Sequence, residues 1–262
     1  MELRDRCVVI TGAGSGIGRA MAERFAVEGP RRLILADVNL DAVQQVAAAI
    51  GPAALALRTD VGVEAEIQAL VERATEAAGP VDLFCSNAGI GGPPGGPEAG
   101  DEAWDQIWRI NVMAHIWAAR ALVPTMTERG EGYLLSTASA AGLLTQVGAM
   151  PYSVTKHAAV ATAEWLSIMY ADAGLKVSCL CPLGVRTPML EEALEDEGPG
   201  ATALLQDDLM DPAEVAEAVV DGLREERFLI LPHENVARYL ALKGAQPERW
   251  LAGMRKLVRS AR

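Results

Sequence analysis

Aromatic side chains make up only 5% of the 262 residues, so a core must be assembled from Ala, Val, Leu and Ile rather than from stacked rings. Cysteine is scarcer still. Cys7, Cys85, Cys179 and Cys181 each lie in an apolar segment that reads as a buried strand, whereas disulfide frameworks belong to loop-rich small domains. All four read as reduced, small hydrophobes; Cys179 and Cys181 share a strand face, but no second Cys or His pair completes a metal site. Positive charge is short as well: 23 Lys and Arg stand against 35 Asp and Glu, a net charge of −12. That surface repels phosphate backbones and anionic lipid, which argues against nucleic-acid and membrane partners. No apolar run approaches the ~18 residues that span a bilayer. The chain enters an apolar strand directly after Arg6, with no room for a signal peptide, so a soluble cytoplasmic protein is expected. Repeats, heptads and low-complexity tracts are missing too, apart from a Gly- and Pro-rich stretch from Ile90 to Gly100.

Short apolar runs alternate with longer segments of helical period. The candidate strands are Cys7–Thr11, Leu33–Asp37, Ala53–Thr59, Val81–Ser86, Gly132–Thr137, Lys176–Cys181 and Phe228–Leu231. Between the third and fourth, Val63, Ile67, Leu70, Val71 and Ala74 form one stripe of a helix that Gly79-Pro80 stops. The strands are apolar throughout rather than alternating, as expected when helices cover both faces of a sheet. This pattern predicts an α/β fold with a doubly wound parallel sheet in three layers, and 1–262 as a single domain.

Directly after the first strand comes Thr11-Gly12-Ala13-Gly14-Ser15-Gly16-Ile17-Gly18, opening a helix over Arg19 to Glu28. Glycines there permit a tight turn, close approach of backbone N–H groups to a pyrophosphate, and packing of the helix start on the strand. The spacing G-x-G-x-x-G fails, because Ile17 holds its third glycine position; G-x-x-x-G-x-G, through Gly12, Gly16 and Gly18, fits. Asp37 ends the second strand, where a carboxylate can accept both hydroxyls of an adenosine ribose and repel a 2′-phosphate. Neither Ser15 nor Val38 supplies a cation for such a phosphate, which favours NAD over NADP. The competing reading makes Asp37 the N-cap of the helix from Leu40.

Tyr152 and Lys156 lie one helical turn apart at the start of a helix, in a chain with only four lysines. A phenol needs its anion stabilised by about three pKa units to trade a proton at neutral pH, and an ammonium at ~4 Å supplies roughly that. Burial of the ring would oppose the shift. Ser139, just past the fifth strand, can hold a substrate oxygen while Tyr152 moves the proton. Asn111, inside an otherwise regular helix, can hydrogen-bond a backbone carbonyl and leave space for a water chain from Lys156. His115 and His157 sit in helical stretches and read as packed or surface residues.

The Gly-rich turn, Asn87-Ala88-Gly89, Ser139 and Tyr152-x-x-x-Lys156 together resemble the classical short-chain dehydrogenase/reductase family over residues 5 to about 232. The resemblance implies a Rossmann-type, seven-stranded sheet and Asn111, Ser139, Tyr152 and Lys156 as the catalytic group, with Lys156 also on the nicotinamide ribose. It further implies Asp60 and Val61 on the adenine and Asn87, Ala88 and Gly89 along the cofactor cleft, with Pro182, Val185 and Thr187 at the nicotinamide carboxamide. One departure stands out: Leu183 occupies the place of a usual glycine and is expected to narrow the substrate pocket. Residues 189–211 resemble a substrate lid. In the C-terminal extension 233–262, Trp250, Leu251, Met254, Leu257 and Val258 form a stripe that docks on its own domain or on a neighbour. A homotetramer or homodimer built on residues 101–128 and 151–173 is implied as well. The expected function is NAD-dependent interconversion of a small, mostly hydrophobic secondary alcohol and its ketone. The alternatives are an NADP-dependent carbonyl reductase and a non-catalytic dinucleotide-binding protein.

Overall fold

A computed structural model of the chain describes residues 1–195 and 209–260. Strands β1 (Cys7–Thr11), β2 (Arg32–Asp37), β3 (Ala54–Arg58), β4 (Leu83–Ser86), β5 (Gly132–Thr137), β6 (Leu175–Leu180) and β7 (Leu229–Ile230) form one sheet in the order β3-β2-β1-β4-β5-β6-β7. Every pairing is parallel. All seven expected strands are present. Two residues are trimmed from each of β3, β4 and β7; β3 and β7 are the edges, where a strand has a partner on one side only, and β4 begins at Leu83 rather than Val81.

Alternate residues of each central strand feed opposite cores, as a period of two requires. Cys7, Val9, Ile34 and Ala36 face one cluster, with Ile67, Leu70, Leu122, Ala159 and Leu166. Val8, Ile10, Leu33 and Leu35 face the other, with Met21, Phe25, Val43, Val215 and Val219. The first cluster is covered by α3 (Glu64–Ala78), α5 (Ala114–Arg129) and α7 (Met150–Tyr170); the second by α1 (Gly16–Val27), α2 (Leu40–Ile50) and α9 (Pro212–Arg224). Both sheet faces are therefore dry, which is why the strands carry no polar alternation. All four cysteines are buried free thiols, and Cys179 and Cys181 lie on one face with their sulfurs 3.7 Å apart.

Local chemistry sets the helix ends. Asn39 caps α2, its Oδ1 accepting the Ala42 N–H at 3.1 Å, so the capping role once open to Asp37 is filled by a different residue. Gly79 closes α3 with a positive φ of 74° and a bond to the Thr75 carbonyl. Asp211 and Glu214 form a reciprocal capping box at the start of α9.

Two short elements bear on the site: α4 (Asp101–Trp108) runs into a π-helical turn, Arg109–Met113, before α5, and α6 (Ala141–Leu144) follows β5. Within the proposed lid, α8 (Pro188–Glu195) is helical, with Leu190 buried; residues 196–208 lie outside the described residues. The C-terminal extension forms two helices, α10 (Glu234–Ala245) and α11 (Pro247–Ser260). Its first helix docks on its own domain: Tyr239 and Leu240, with Trp250 of α11, pack on the cluster of Ala140, Leu144 and Val236. Leu251 is exposed and no residue of α11 is buried, so the rest of the expected stripe is not docked. Among the described residues no helix is long and apolar enough to cross a membrane.

Candidate active site

Chain order reverses between β1 and β4, and at such a switch point the connecting loops leave the sheet in opposite directions and open a crevice at the strand ends. Thr11 holds this crevice together. Its Oγ1 accepts the N–H groups of Asn87 and Ala88 at 3.0 and 3.1 Å and donates to the Cys85 carbonyl, while its own carbonyl accepts from Asn87 Nδ2 at 3.0 Å. The sequence reading quoted Thr11 as the first residue of the turn and gave it no task. Its place, last on a strand and beside the first glycine, was the available signal.

The turn itself demands glycine. Gly12 has φ +66°, and a Cβ there would lie 2.8 Å from Ala88 Cα; a Cβ on Gly18 would run into the Gly12 carbonyl. A backbone this tight leaves the first turn of α1 facing the crevice. No side chain caps that turn and no acidic residue stands in it, so its N–H groups are offered to an anion. Ser15, at the N-cap position, and Ile17 follow in the same turn. Asp37 stands at one end of the turn: its Oδ2 accepts from Gly14 N–H and its Oδ1 from Asn39 N–H, both at 2.9 Å. Asp60 folds back to accept from Gly62 N–H at 2.8 Å, next to the buried Val61. Asn87 Oδ1 is buried without a partner. A cradle without side chains, an uncapped helix start, a fixed carboxylate and an unpaired amide oxygen together fit a dinucleotide.

The chemistry-bearing side chains converge one strand further along the sheet. Lys156 is 3% exposed; its Nζ donates to the Thr137 carbonyl at 3.1 Å and lies 5.6 Å from the Tyr152 ring centroid. A Cβ on Gly89 would sit 3.3 Å from that Nζ and 3.1 Å from Asn111 Oδ1, so this glycine is the point where the loop after β4 makes room for the cation. The helix around Asn111 is not regular, as expected, but opens into the π turn. There Asn111 exchanges two bonds with the Ile90 backbone, each 2.9 Å, and reaches Thr155 Oγ1 at 3.3 Å. The wider turn aims one amide at a neighbouring loop and at the catalytic helix together. Thr155, hidden between Tyr152 and Lys156, carried no signal of its own.

Ser139 is buried, with its Oγ accepting the Ala141 N–H at 3.1 Å and its hydroxyl hydrogen-bonded with the Tyr152 phenol. The residues on either side are pinned to the extension of β6, Ala138 N–H to Leu180 and Ala140 N–H to Pro182, both 2.8 Å. Val185 pairs with Met210, and Thr187 bonds back to the Val185 carbonyl at 3.3 Å with its methyl group against Gly16. The strap after β6 thus meets the glycine turn. Leu183 turns its side chain into the cluster with Ala140, Leu144 and Val236, where the C-terminal helices cover it.

Burial dominates the titration of the group. It pushes Lys156 down to about 8, partly opposed by Cys181 and Cys179. It also raises the Tyr152 phenol above its ordinary value, partly opposed by Ser139, so the protein alone does not deliver the lowered phenol expected from the lysine. Burial, then the Lys156 charge, push His115 down to about 3; it is packed and neutral, 3% exposed. His157 Nδ1 lies 2.8 Å from the Ser153 carbonyl of its own helix, away from any relay.

Comparison with known proteins agrees with this geometry. The profile of the short chain dehydrogenase family matches residues 6–198. The 1-deoxy-11-beta-hydroxypentalenate dehydrogenase of Streptomyces exfoliatus is 33% identical, over 95% of this chain and 94% of its own length. Estradiol 17-beta-dehydrogenase 11 of Mus musculus is 30% identical, over 93% and 80%. The crystal structure of a short chain dehydrogenase/reductase from Burkholderia phymatum in complex with NAD is 32% identical, with a TM-score of 0.85 over 95% and 96%. The chain belongs to the short-chain dehydrogenase/reductase family and is an oxidoreductase acting on CH–OH groups with a nicotinamide dinucleotide.

A buried cation held near pH 8 is a stability cost. Below about 8 the folded and unfolded states both carry the proton and the full penalty applies; between 8 and 10.5 the unfolded state binds more protons, so stability rises with pH. Lys156→Met should raise unfolding free energy at pH 7 by about 1–3 kcal/mol while turnover is lost, and the gap should close toward pH 10.5. Urea midpoints from pH 7 to 10.5 test this; a less stable Lys156→Met at pH 7 would contradict it.

Proposed function

We propose that this oxidoreductase uses NAD to interconvert a small, mostly hydrophobic secondary alcohol and its ketone, with Tyr152 as the proton carrier. One observation carries the reading: Ser139, Tyr152, Lys156 and Asn111 lie at the strand ends beside a glycine cradle with an uncapped helix start and a fixed carboxylate.

On this reading Gly12, Ser15, Gly16, Ile17 and Gly18 receive the diphosphate, because close N–H groups at a helix start bind phosphate oxygens. Asp37 takes the adenosine ribose. Two N–H bonds orient its carboxylate, and a 2′-phosphate would meet that negative charge with no cation nearby in the turn. Asp60 and Val61 flank the adenine; Asn87, Ala88 and Gly89 line the middle of the cleft; Pro182, Val185 and Thr187 hold the carboxamide end. The dinucleotide supplies hydride exchange at the carbinol carbon. Ser139, hydrogen-bonded with Tyr152 before substrate enters, turns its hydroxyl to the substrate oxygen and so fixes the carbon's orientation. Tyr152 then takes or gives the hydroxyl proton at that oxygen. Lys156, anchored by the Thr137 carbonyl, faces the ring and favours the phenolate whenever the proton leaves. Asn111 carries the path outward, since its amide joins the Ile90 backbone to the lysine's helix.

The rim of the crevice supports an apolar substrate. Met189 of α8 lies over Gly91, in the loop after β4, and Ala140, Leu143, Leu144 and Leu183 form an apolar cluster behind the Ser139 segment. The two relatives named above are dehydrogenases whose printed names carry a hydroxylated pentalenate and estradiol, and both names fit an alcohol on an apolar frame. A second copy of the chain is the partner that suits the outer face of α7. There Trp165, Ile168 and Met169 are exposed side by side, next to a groove that Ile116, Ala119 and Ala161 line.

Tyr152→Phe should cut kcat by about 10²-fold or more while dinucleotide binding, read by reduced-nicotinamide fluorescence, stays within about threefold; a fully active variant would sink the mechanism. Asp37→Ala should narrow the ratio of NADP to NAD dissociation constants by about tenfold or more, and an unchanged ratio, or NADP preference in the parent protein, would overturn the NAD assignment. Trp165→Arg should shift the sedimentation coefficient toward that of a single chain. A parent protein that already sediments as one chain would remove the second copy from the scheme.

A further inference from the structure

Two backbone segments border the crevice on the Ser139 side: the loop after β5 and the loop after β6. A third element crosses both, and no step of the proposed reaction uses it. At the start of α10, His233 is 7% exposed, and its ring spans one short piece of the loop after β6. Leu183 N–H donates to its Nδ1 at 3.2 Å, and its Nε2 lies 3.1 Å from the Gly184 carbonyl. A ring that accepts at one nitrogen and donates at the other is a neutral imidazole with its proton on Nε2. The same Gly184 carbonyl accepts from Met210 N–H at 3.1 Å, which joins the far end of the lid segment to the same point.

Ten residues on, Lys243 makes the second tie. Its Nζ donates to the Leu143 carbonyl, in α6 just after Ser139, at 2.6 Å. Burial holds that amine below its ordinary pKa, so the contact is one for which the chain gives up solvation. Between the two ties the contact is apolar: Val236, fully buried, packs with Ala140 and Leu144, and Leu183 packs against the same group. The leucine found where the family pattern has glycine therefore supplies the side chain on which the C-terminal helices rest.

We propose that α10 acts as a positioning strap, with His233 and Lys243 fixing the spacing between the Ser139 segment and the Leu183–Gly184 peptide and so closing the apolar end of the substrate crevice. This rests on the proposed alcohol dehydrogenase reading. Neither residue touches the reacting atoms; both set where Ser139 and the apolar wall stand relative to a bound alcohol, and that placement enters KM before it enters kcat.

Two substitutions remove the ties and keep the bulk: His233→Phe retains a flat ring without nitrogens, and Lys243→Met retains the stem without the donor. Two retain a tie: His233→Asn can still accept the Leu183 N–H, and Lys243→Arg can still donate. Hydrogen exchange of the chain without added ligand, over residues 140–147 and 182–187, should quicken about fivefold or more in the Phe and Met variants and return to within about twofold in the Asn and Arg variants. KM over a panel of secondary alcohols, from 2-butanol through cyclohexanol to a four-ring steroid alcohol, should rise about tenfold in the first pair, with kcat within about threefold, and recover in the second pair. Unchanged exchange in both loops overturns the strap, as does quickened exchange with KM unmoved. If the parent protein oxidises none of the alcohols, the dehydrogenase reading fails, and the exchange data still decide whether the strap exists. Should His233→Phe fail to fold, Lys243→Met, whose tie is only partly buried, carries the test.

Discussion

A lysine ammonium that is 3% exposed has surrendered nearly all its hydration, and the surrounding chain is arranged around that loss. The Thr137 carbonyl at the end of β5 turns toward it; Gly89 forgoes a side chain beside it; His115, behind it, is held neutral at a pKa near 3. Each of these comes from a different strand or helix. The cation thus fixes the relative positions of the loops after β4 and β5 and the start of α7. Those same loops carry Ser139 and the Asn87–Gly89 run. Removing the charge would relax the fold and silence the chemistry, the usual trade between stability and a strained site.

Burial raises both problems that the charge must solve. It lifts the Tyr152 phenol and lowers the Lys156 amine, so in the protein alone the proton stays on the phenol and the amine is near the point of losing its own. Burial therefore drives apart two proton affinities that differ little in bulk solution, and environments that separate a pair of titratable groups in this way are those from which acid and base roles are built.

Much of the fold was legible because parallel strands buried on both faces have to be apolar throughout, and helices that cover them have to repeat at 3.6 residues. Seven strands followed from that rule, with ends misjudged by no more than two residues, at the edges β3 and β7 and at the central β4, β2 and β6. The glycine turn was legible as well, because Gly12 and Gly18 have no substitute where the backbone closes on itself. Residues that act through the backbone of a distant segment were not. Thr11 reaches 76 positions along the chain to Asn87, Thr155 meets Asn111, and His233 meets Leu183; nothing in local spacing announces such bonds. The π turn at Asn111 escaped for a related reason: a single widened turn leaves the periodicity of a long helix almost intact. The effect of Leu183 was half legible. Its bulk was clear from the sequence, but its direction depends on α10 and α11, whose docking no pattern of one helix can decide.

A net charge of −12 appears at odds with the capture of a doubly anionic dinucleotide, and distance resolves the conflict. At physiological salt, repulsion from surface carboxylates decays over about 8 Å, so most of the acidic surface exerts little force inside the crevice. What acts there is local: N–H groups at the start of α1 with no acidic residue in its first turn, glycines that let a phosphate reach contact distance, and one carboxylate, Asp37, engaged by two N–H donors. The charge of that carboxylate is drawn off by its two N–H donors, while the N–H groups at the start of α1 meet no capping side chain, so the local field at the turn favours an anion although the surface as a whole repels one.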